Sequence, residues 1–485
     1  MSDIVIAAVN ARYSHASLAS RLLLANLGPL AGRARILEFT LADRPSDMLE
    51  RILSERPRVV GLGVYVWNAD AALDLVARLK ALRPDVAVVL GGPEVSHETE
   101  GQRIVSLADD TIKGEGELAF AVLCEQLLKG ERPASRVVQA PPPDLGSLAL
   151  PYDLYDAEDL AHRNVYVEAS RGCPYACEFC LSALDDKVRR VPEAKLLGAL
   201  EGLWSRGARR FKFVDRALHL AVTPAILRFF LERFEPGAHV HFELVPDHLP
   251  EPLLPLIAAF LPGTLQLEAG IQTLDPEVAA RVGRRQDPDK ALATVRLLAK
   301  ETNAHVHADL VAGLPGETLE SLAAGFDRLF DAGPHEIQLG ILKRLRGAPI
   351  ARHDGPFRMV YSPSAPYEIL ETSTIGFDAM QRVKRTARSL DLVHNNGGFP
   401  TSDALVREGG SPFARYMELA DFLWQKMRGT HAPSQKLLAS TLRLYLENAR
   451  GLDPALARKA VDEDLKRART PRKARYPRRQ GRRLA

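Results

Sequence analysis

Five short apolar runs recur in the first quarter of the chain: Ile4–Val9, Ala34–Phe39, Val59–Val64, Val86–Leu90 and Asp110–Lys113. Each is nearly continuous rather than alternating, the pattern of parallel strands covered on both faces. Helix-period stretches separate them at Leu18–Ala25, Pro45–Ser54, Ala71–Leu82 and Glu117–Leu128. Strand and helix in strict alternation predict a doubly wound α/β domain over residues 1–135, which binds ligands at the carboxyl ends of its strands. Those ends are Asn10–His15, Tyr65–Asn68, Gly91–Glu94 and Gly114–Glu117. Residues 136–163, with the Pro-rich run Ala140–Asp144, read as a linker.

The alternation restarts at about residue 164, with strands predicted at Val165–Ala169, Arg210–Val214, His239–Leu244, Leu265–Ala269, His305–Val311 and Ile337–Leu342. Helices are predicted at Glu193–Ser205, Pro224–Phe234, Ala291–Thr302 and Leu319–Phe330. Six β/α units in sequence predict a partial (β/α)6 barrel over residues 164–355. Several of its strands alternate: His241 and Glu243, Gln266 and Glu268, His307 and Asp309, and Gln338 are interleaved with apolar neighbours. Helices cover the outside of such a barrel, so the polar set must face inward. A polar interior is costly unless it binds something, so the pattern itself points to a ligand cavity. Residues 356–465 read as a helical region, through Tyr367–Leu392, Ser402–Arg428 and Ser434–Ala449.

Composition narrows the class. The 485 residues are 46% hydrophobic and 26% charged, which excludes collagen-like, disulfide-scaffold and wholly disordered chains. No apolar run approaches the roughly 20 residues that span a bilayer. Met1–Val9 has a β-like pattern with Asp3 inside it and no signal-peptide features, so a cytoplasmic protein is expected. The net charge of +3 conceals an asymmetry, because residues 466–485 hold ten basic residues and no acid. Without them 54 basic residues face 61 acidic ones, a net charge of −7. The tail reads as a solvated, disordered end, with an electrostatic arm for nucleic acid or an acidic partner as the alternative.

Three of the four cysteines fall within eight residues, in Arg171-Gly172-Cys173-Pro174-Tyr175-Ala176-Cys177-Glu178-Phe179-Cys180, directly after the first strand of the second series. Clustered thiolates outside a secreted framework favour metal over disulfide. A structural zinc site needs a fourth ligand, and no His or Cys follows at finger spacing. A [4Fe–4S] cluster ordinarily takes four Cys, so three leave one iron open to a substrate or cofactor. Cys124 lies in a helix-period apolar stretch with Phe120, Leu123 and Leu127 and reads as core.

The C-x3-C-x-aromatic-C run after the first barrel strand resembles the signature of the radical S-adenosylmethionine (SAM) enzymes. That resemblance implies that Cys173, Cys177 and Cys180 hold a [4Fe–4S] cluster whose open iron chelates SAM. It also implies that one electron cleaves SAM to methionine and a 5′-deoxyadenosyl radical. Phe179 is then expected near the adenine. Asp215 after the second strand, Glu243 in the third, Glu268 and Gln272 in the fourth, and Asp309 and Gly313 in the fifth look like SAM-pocket positions.

A doubly wound domain closed by Gly91-Gly92-Pro93-Glu94 and Gly114-Glu115-Gly116-Glu117 before such a core resembles the cobalamin-binding radical SAM class. It implies cobalamin near these eight residues, with Tyr65, Trp67 and Asn68 near the corrin. The D-x-H-x-x-G motif of base-off cobalamin domains is absent, so the lower cobalt ligand is undefined, with Asn10, Tyr13 or His15 placed to approach it. Asn10–Leu18, Val214–Arg216, Leu339–Gly347 and Pro366–Thr372 resemble the sub-family with a carboxy-terminal domain of unknown function. The implied fold is a Rossmann-like B12-binding domain, a partial TIM-type radical SAM barrel and a mostly helical carboxy-terminal region.

The resemblance implies methylation of an unactivated carbon or phosphorus of a small molecule, with an electron donor such as flavodoxin or ferredoxin. A cobalamin-associated rearrangement or cyclisation without methyl transfer is the alternative within enzymes. RNA modification, with the basic tail as the arm, and a non-catalytic cofactor carrier are the others. No residue is assigned a catalytic role.

Overall fold

The computed structural model describes residues 2–218, 223–235, 237–429 and 433–469. The chain divides into two compact units. The first comprises residues 1–216, 343–351 and 362–368; the second comprises 217–342, 352–361 and 369–485.

In the first unit, strands β1 (Ile4–Asn10), β2 (Ala34–Thr40), β3 (Val59–Gly63), β4 (Ala87–Gly91), β5 (Asp110–Lys113) and β6 (Val137–Gln139) form one parallel sheet in the order β2-β1-β3-β4-β5-β6. Helices Pro45–Ser54 and Ala69–Leu82 cover one face, packing Met48, Ile52, Leu75 and Val76 on Val5, Val9, Val60 and Val88. Leu18–Ala25 and Glu117–Lys129 cover the other, where Phe120, Leu123 and Cys124 meet Ile4, Ile6 and Val89. Burial of both faces is why these strands read as continuous apolar runs. Gly61 belongs to this packing, since a Cβ there would lie 2.6 Å from the Phe120 ring. The strand order reverses direction between β1 and β3, the switch point at which such sheets bind ligands.

Residues 136–163 were expected to be a linker. Instead Val137–Gln139 adds the sixth strand, paired with β5, and Ala157–His162 forms a short helix closed by an Asp156–Asp159 capping box. Three strand residues beside a Pro-rich run are too few to carry a hydrophobic period.

The first unit also contains β7 (Val165–Val167), β8 (Ser170–Arg171), β9 (Arg189–Arg190) and β10 (Arg210–Phe213). β10 pairs parallel with β7, while β8 and β9 form a two-residue antiparallel ribbon.

The second unit holds β11 (His239–Leu244), β12 (Leu265–Gln272), β13 (His305–Ala312) and β14 (Glu336–Ile341), parallel in sequence order. All six predicted strands of the second series are therefore present. Helix Pro288–Glu301 packs on the apolar face of β12 and β13. Leu265, Leu267, Ala269 and Ile271 are fully buried there.

The helical region is more broken than its pattern suggests. Tyr367–Leu392 splits into a short strand, Ile369–Glu371, and a helix, Phe377–Leu390. Ser402–Arg428 splits into Pro400–Arg407 and Pro412–Met427, interrupted at Glu408-Gly409-Gly410-Ser411, where both glycines have positive φ and Pro412 starts the next helix. Gln435–Asn448 and Pro454–Arg469 complete it. The last helix runs into the stretch read as a disordered tail from residue 466; residues 470–485 lie outside the described ones. Among the described residues no helix is long and apolar enough to cross a membrane.

Candidate cofactor sites

The loop carrying the three cysteines hangs from the β8–β9 ribbon. Arg171 stands opposite Arg189 in its register. Gly172 sits in the left-handed region at φ +87°, and a Cβ there would lie 2.5 Å from the Lys187 carbonyl oxygen. Only glycine passes this neck. The Cys173 amide closes the loop by donating to the Asp185 carbonyl at 2.9 Å. None of the three is in a disulfide; Cys173 and Cys177 are buried and Cys180 is half-buried. Burial pushes the Cys173 thiol up, and the Cys180 and Cys177 thiolates add to this, with Arg216 opposing. Three cysteine sulfurs on one short, largely buried loop are the donor type that an iron–sulfur cluster takes, and binding the cluster deprotonates them. Among the described residues no three His, Cys, Asp or Glu side chains converge at ligating distance. The donor chemistry fits a [4Fe–4S] cluster.

Asp215 supports that loop from the strand before it. Its carboxylate accepts from Ser170 Oγ at 2.5 Å and from the Ala169 amide at 3.0 Å. Burial pushes its pKa up to about 6, against both hydrogen bonds. Phe179 lies within the loop and is half-buried.

At the switch point of the first sheet, Tyr65 and Trp67 stack with centroids 4.4 Å apart and planes 9° off parallel. Trp67 is 46% exposed, so this aromatic surface faces solvent at the carboxyl edge. Burial, with Glu117 nearby, pushes the Tyr65 hydroxyl up to about 12. Asn68 is buried and occupied: its side chain accepts from the Tyr65 amide at 2.8 Å and donates to the Val9 and Gly63 carbonyls, both at 3.1 Å. It fastens the loop after β3 to the end of β1. Asn10 donates to Glu38 at 2.6 Å. Arg163 donates to that same Glu38 at 2.7 Å and to the Tyr13 and His15 carbonyls at 2.8 and 2.6 Å. The loop after β1 is thus held from behind by a buried ion-pair network that includes Arg21 and Asp159. His15 packs edge-on against Tyr166, and burial with Arg12, Lys212 and Arg163 lowers its pKa, favouring neutral imidazole.

Gly92 has φ +100°, and a Cβ would lie 2.5 Å from the Val64 carbonyl oxygen. A Cβ at Gly91 would make only an ordinary contact, 3.9 Å from the Ile112 carbonyl oxygen, and Pro93 begins a four-residue helical turn. Glu94 is buried and paired: Oε1 accepts from Arg346 Nε at 2.6 Å and from the Tyr367 hydroxyl at 2.7 Å. Gly114 (φ +87°) lies against the Ala140 carbonyl oxygen, and Gly116 against Ile112. Glu115 and Glu117 are held by Arg171 at 2.5 and 2.7 Å. An exposed flat aromatic surface at the switch point and glycine-lined strand ends fit a planar macrocycle with a phosphate-bearing tail.

In the second unit the polar positions of β11–β14 fall into rows. Glu243 is in register with Glu268, Glu268 with His307 and His307 with Glu336. His241 Nε2 lies 3.0 Å from Glu268, and His307 Nε2 lies 3.2 Å from Asp309. Burial alone would lower His307, but Asp309, Glu268 and Glu336 outweigh it and raise its pKa. Burial raises Asp309, Glu268 adds to it, and His307 and His241 oppose. A bulge between Gly270 and Gln272 places Gln272 at φ +70°, an uncommon conformation for a non-glycine residue at the carboxyl end of a strand. Gly313 has a packing role of its own, because a Cβ there would strike Ile369 at 2.6 Å.

The cysteine loop, Phe179 and Asp215 thus belong to the first unit, and Glu243, Glu268, Gln272, Asp309 and Gly313 to the second. Arg171, Arg189, Arg163 and Arg346 were not singled out. Arg171 lies inside the cysteine run, but beside the nearby Glu168 its partners Glu117 and Glu115 are 54 and 56 residues away and carry no local signal.

Three family models match the chain in order: a B12 binding domain over residues 4–124, the radical SAM superfamily over 167–329 and a protein of unknown function (DUF4080) over 355–468. The chain is 27% identical over 425 residues to the cobalamin-dependent radical SAM methyltransferase TokK of Streptomyces tokunonensis, spanning 75% of this chain and 60% of that one. It is 26% identical over 316 residues to an uncharacterized methyltransferase of Pyrococcus horikoshii, spanning 58% and 65%. The fold is similar to the cobalamin-dependent SAM radical enzyme OxsB, with a TM-score of 0.63, 14% identity and coverage of 96% and 80%. It is also similar to the methyltransferase TsrM of Kitasatospora setae, with a TM-score of 0.57, 19% identity and coverage of 72% and 77%. The chain spans less than two thirds of the length of these curated relatives. By the order of its domains it belongs to the cobalamin-binding radical SAM proteins with a DUF4080 carboxy-terminal domain, whose cofactors are cobalamin, a [4Fe–4S] cluster and SAM.

Proposed function

We propose that this chain is a cobalamin-dependent radical SAM methyltransferase acting on an unactivated carbon or phosphorus of a small molecule. The observation that carries the reading is the glycine-necked loop with three cysteines outside any disulfide, on a chain that also stacks an exposed Trp67 on Tyr65 at a sheet switch point. When bound, the cluster with SAM supplies a 5′-deoxyadenosyl radical and cobalamin supplies a transferable methyl group. Cys173, Cys177 and Cys180 hold the cluster, and Phe179 lies along the adenine. In the second unit Glu243, Glu268, Gln272 and Asp309 offer polar contacts for SAM and Gly313 packs the end of its strand; in the first, Asp215 holds the strand that leads into the cysteine loop. Tyr65 and Trp67 meet the corrin, with Gly91, Gly92, Pro93, Gly114 and Gly116 admitting its tail. Asn10, Asn68 and Glu94 hold the rim, and neutral His15 stands in the loop after β1. The electron comes from a donor of the flavodoxin or ferredoxin type.

The relatives named as methyltransferases support methyl transfer, among them TokK and the 2-(S-pantetheinyl)-carbapenam-3-carboxylate methyltransferase of Streptantibioticus cattleyicolor, the latter 26% identical over 58% of this chain and 46% of its own length. The test is anaerobic reconstitution with iron, sulfide and hydroxocobalamin, followed by SAM and a reductant. 5′-Deoxyadenosine together with S-adenosylhomocysteine is the expected result. Absence of 5′-deoxyadenosine in wild type, or its survival in Cys177→Ala, overturns the radical assignment. 5′-Deoxyadenosine without S-adenosylhomocysteine in the presence of substrate turns the reading to a rearrangement or cyclisation.

A further inference from the structure

Glu115 was expected to contact cobalamin, but both of its oxygens are engaged elsewhere. Oε2 accepts from Arg171 Nη1 at 2.5 Å and from Arg189 Nη1 at 3.2 Å, and Oε1 accepts from Arg189 Nη2. The two arginines are register partners at the neck of the cysteine loop. Arg171 extends the grip with Nη2, which donates to Glu117 at 2.7 Å and to Glu168 at 2.9 Å. Arg189 also reaches Asp185 at 2.9 Å, whose carbonyl holds the Cys173 amide. All of these residues lie in the first unit. One carboxylate on the Gly-Glu-Gly-Glu turn therefore receives both strands of the ribbon from which the cluster ligands hang.

We propose that Glu115 is a positioning residue for the iron–sulfur cluster, a latch fixing the neck of the cysteine loop to the Gly114–Glu117 turn, rather than a cobalamin contact. The inference rests on the cluster assignment made above. Two forked guanidiniums on one mostly buried carboxylate give a geometry that is rigid in both directions, which a single lysine pair is not. Partners standing one step behind metal ligands set ligand orientation, and their loss weakens metal binding without removing a ligand.

The test compares full-length wild type, Glu115→Gln and Arg189→Lys, each shown to be folded by its thermal melt. In the protein before reconstitution, amide exchange within residues 172–188 should quicken roughly tenfold in both variants and stay unchanged in the helix Gln435–Asn448. The iron–sulfide titration midpoint should rise roughly tenfold, and the electron paramagnetic resonance signal of the reduced cluster should broaden. The hydroxocobalamin midpoint, read by visible absorption, should stay within about twofold of wild type. Glu115→Gln that weakens cobalamin binding and leaves the cluster signal intact overturns the latch, as does Arg189→Lys that assembles the cluster as well as wild type. Failure of wild type to take up cobalamin would instead count against the cofactor reading of the first domain, and the cluster arm would still decide the latch. Failure of the wild-type cluster would sink the assignment of the loop, and the exchange arm would still show whether Glu115 holds it.

Discussion

The Thr273 hydroxyl donates at 2.8 Å to Oε1 of Glu317, a carboxyl group that is 1% exposed and whose other oxygen has no hydrogen-bond partner. Burial pushes its pKa up to about 8, against the Thr273 bond and with help from Asp275. The folded chain therefore holds a proton on Glu317 that the unfolded chain releases at ordinary carboxylate pH. That contribution is fully present below the unfolded value and is lost as pH rises toward about 8. Glu317→Gln keeps the shape and removes the titration. Thermal melts at several pH values from 5 to 9 should show the wild type losing stability relative to the variant across that window. Parallel curves would refute the protonated state.

Glu94 allows a second prediction about an ion pair. It is buried, and Arg346 and Tyr367 share its Oε1. Arg346→Met leaves a buried carboxylate without its cation and should cost about 3–5 kcal/mol. Tyr367→Phe removes one neutral donor and should cost about 1–3 kcal/mol. Because both bonds end on one oxygen, the double variant should cost less than the two single costs added together. Urea denaturation of the four proteins measures this, and strict additivity would show that the two donors act independently.

How far the sequence could be read depended on where the determining contacts lie. The strands of the first sheet were legible from Ile4–Val9 onward because burial on both faces writes an apolar run into each strand itself. The cysteine loop was legible for a similar reason, since its three cysteines lie within eight residues. Val137–Gln139 was missed because its strand character comes only from pairing with Ile112 and its neighbours. The break in Ser402–Arg428 had a local signal in Gly409, Gly410 and Pro412, outweighed there by a helical period on either side. Glu94, Glu115 and Gly313 were placed at the correct strand ends, yet their partners Arg346, Arg171 and Ile369 arrive from distant segments, and no local pattern encodes them. Spacing located the loops; only tertiary contacts divide the residues that face a cofactor from those that hold the loop.

Cys124 is fully buried beside Phe120 and Leu123, and burial pushes its thiol up to about 12. A protonated, enclosed thiol is unreactive. Iodoacetamide treatment of the cluster-free native chain should label Cys180 first, because it alone of the four is partly exposed, and should spare Cys124 until denaturant is added. Peptide mass spectrometry reads each site. Labelling of Cys124 at the rate of Cys180 would contradict its place in the core.

Gln272 occupies the left-handed region at φ +70° just beyond a bulge, and its side-chain nitrogen would lie 2.7 Å from a Cβ at Gly270. A non-glycine residue held in this region costs on the order of 1 kcal/mol, a strain that persists where the surrounding structure imposes it. Gln272→Gly should relieve that strain and raise the melting temperature by roughly 1–3 °C, while removing the amide proposed to contact SAM. SAM affinity, measured by titration into the reconstituted protein, should fall by about tenfold, the worth of one well-placed hydrogen bond. Stability and binding moving in opposite directions would mark the bulge as strain kept for function. A lower melting temperature with unchanged affinity would make Gln272 a packing residue and remove it from the site.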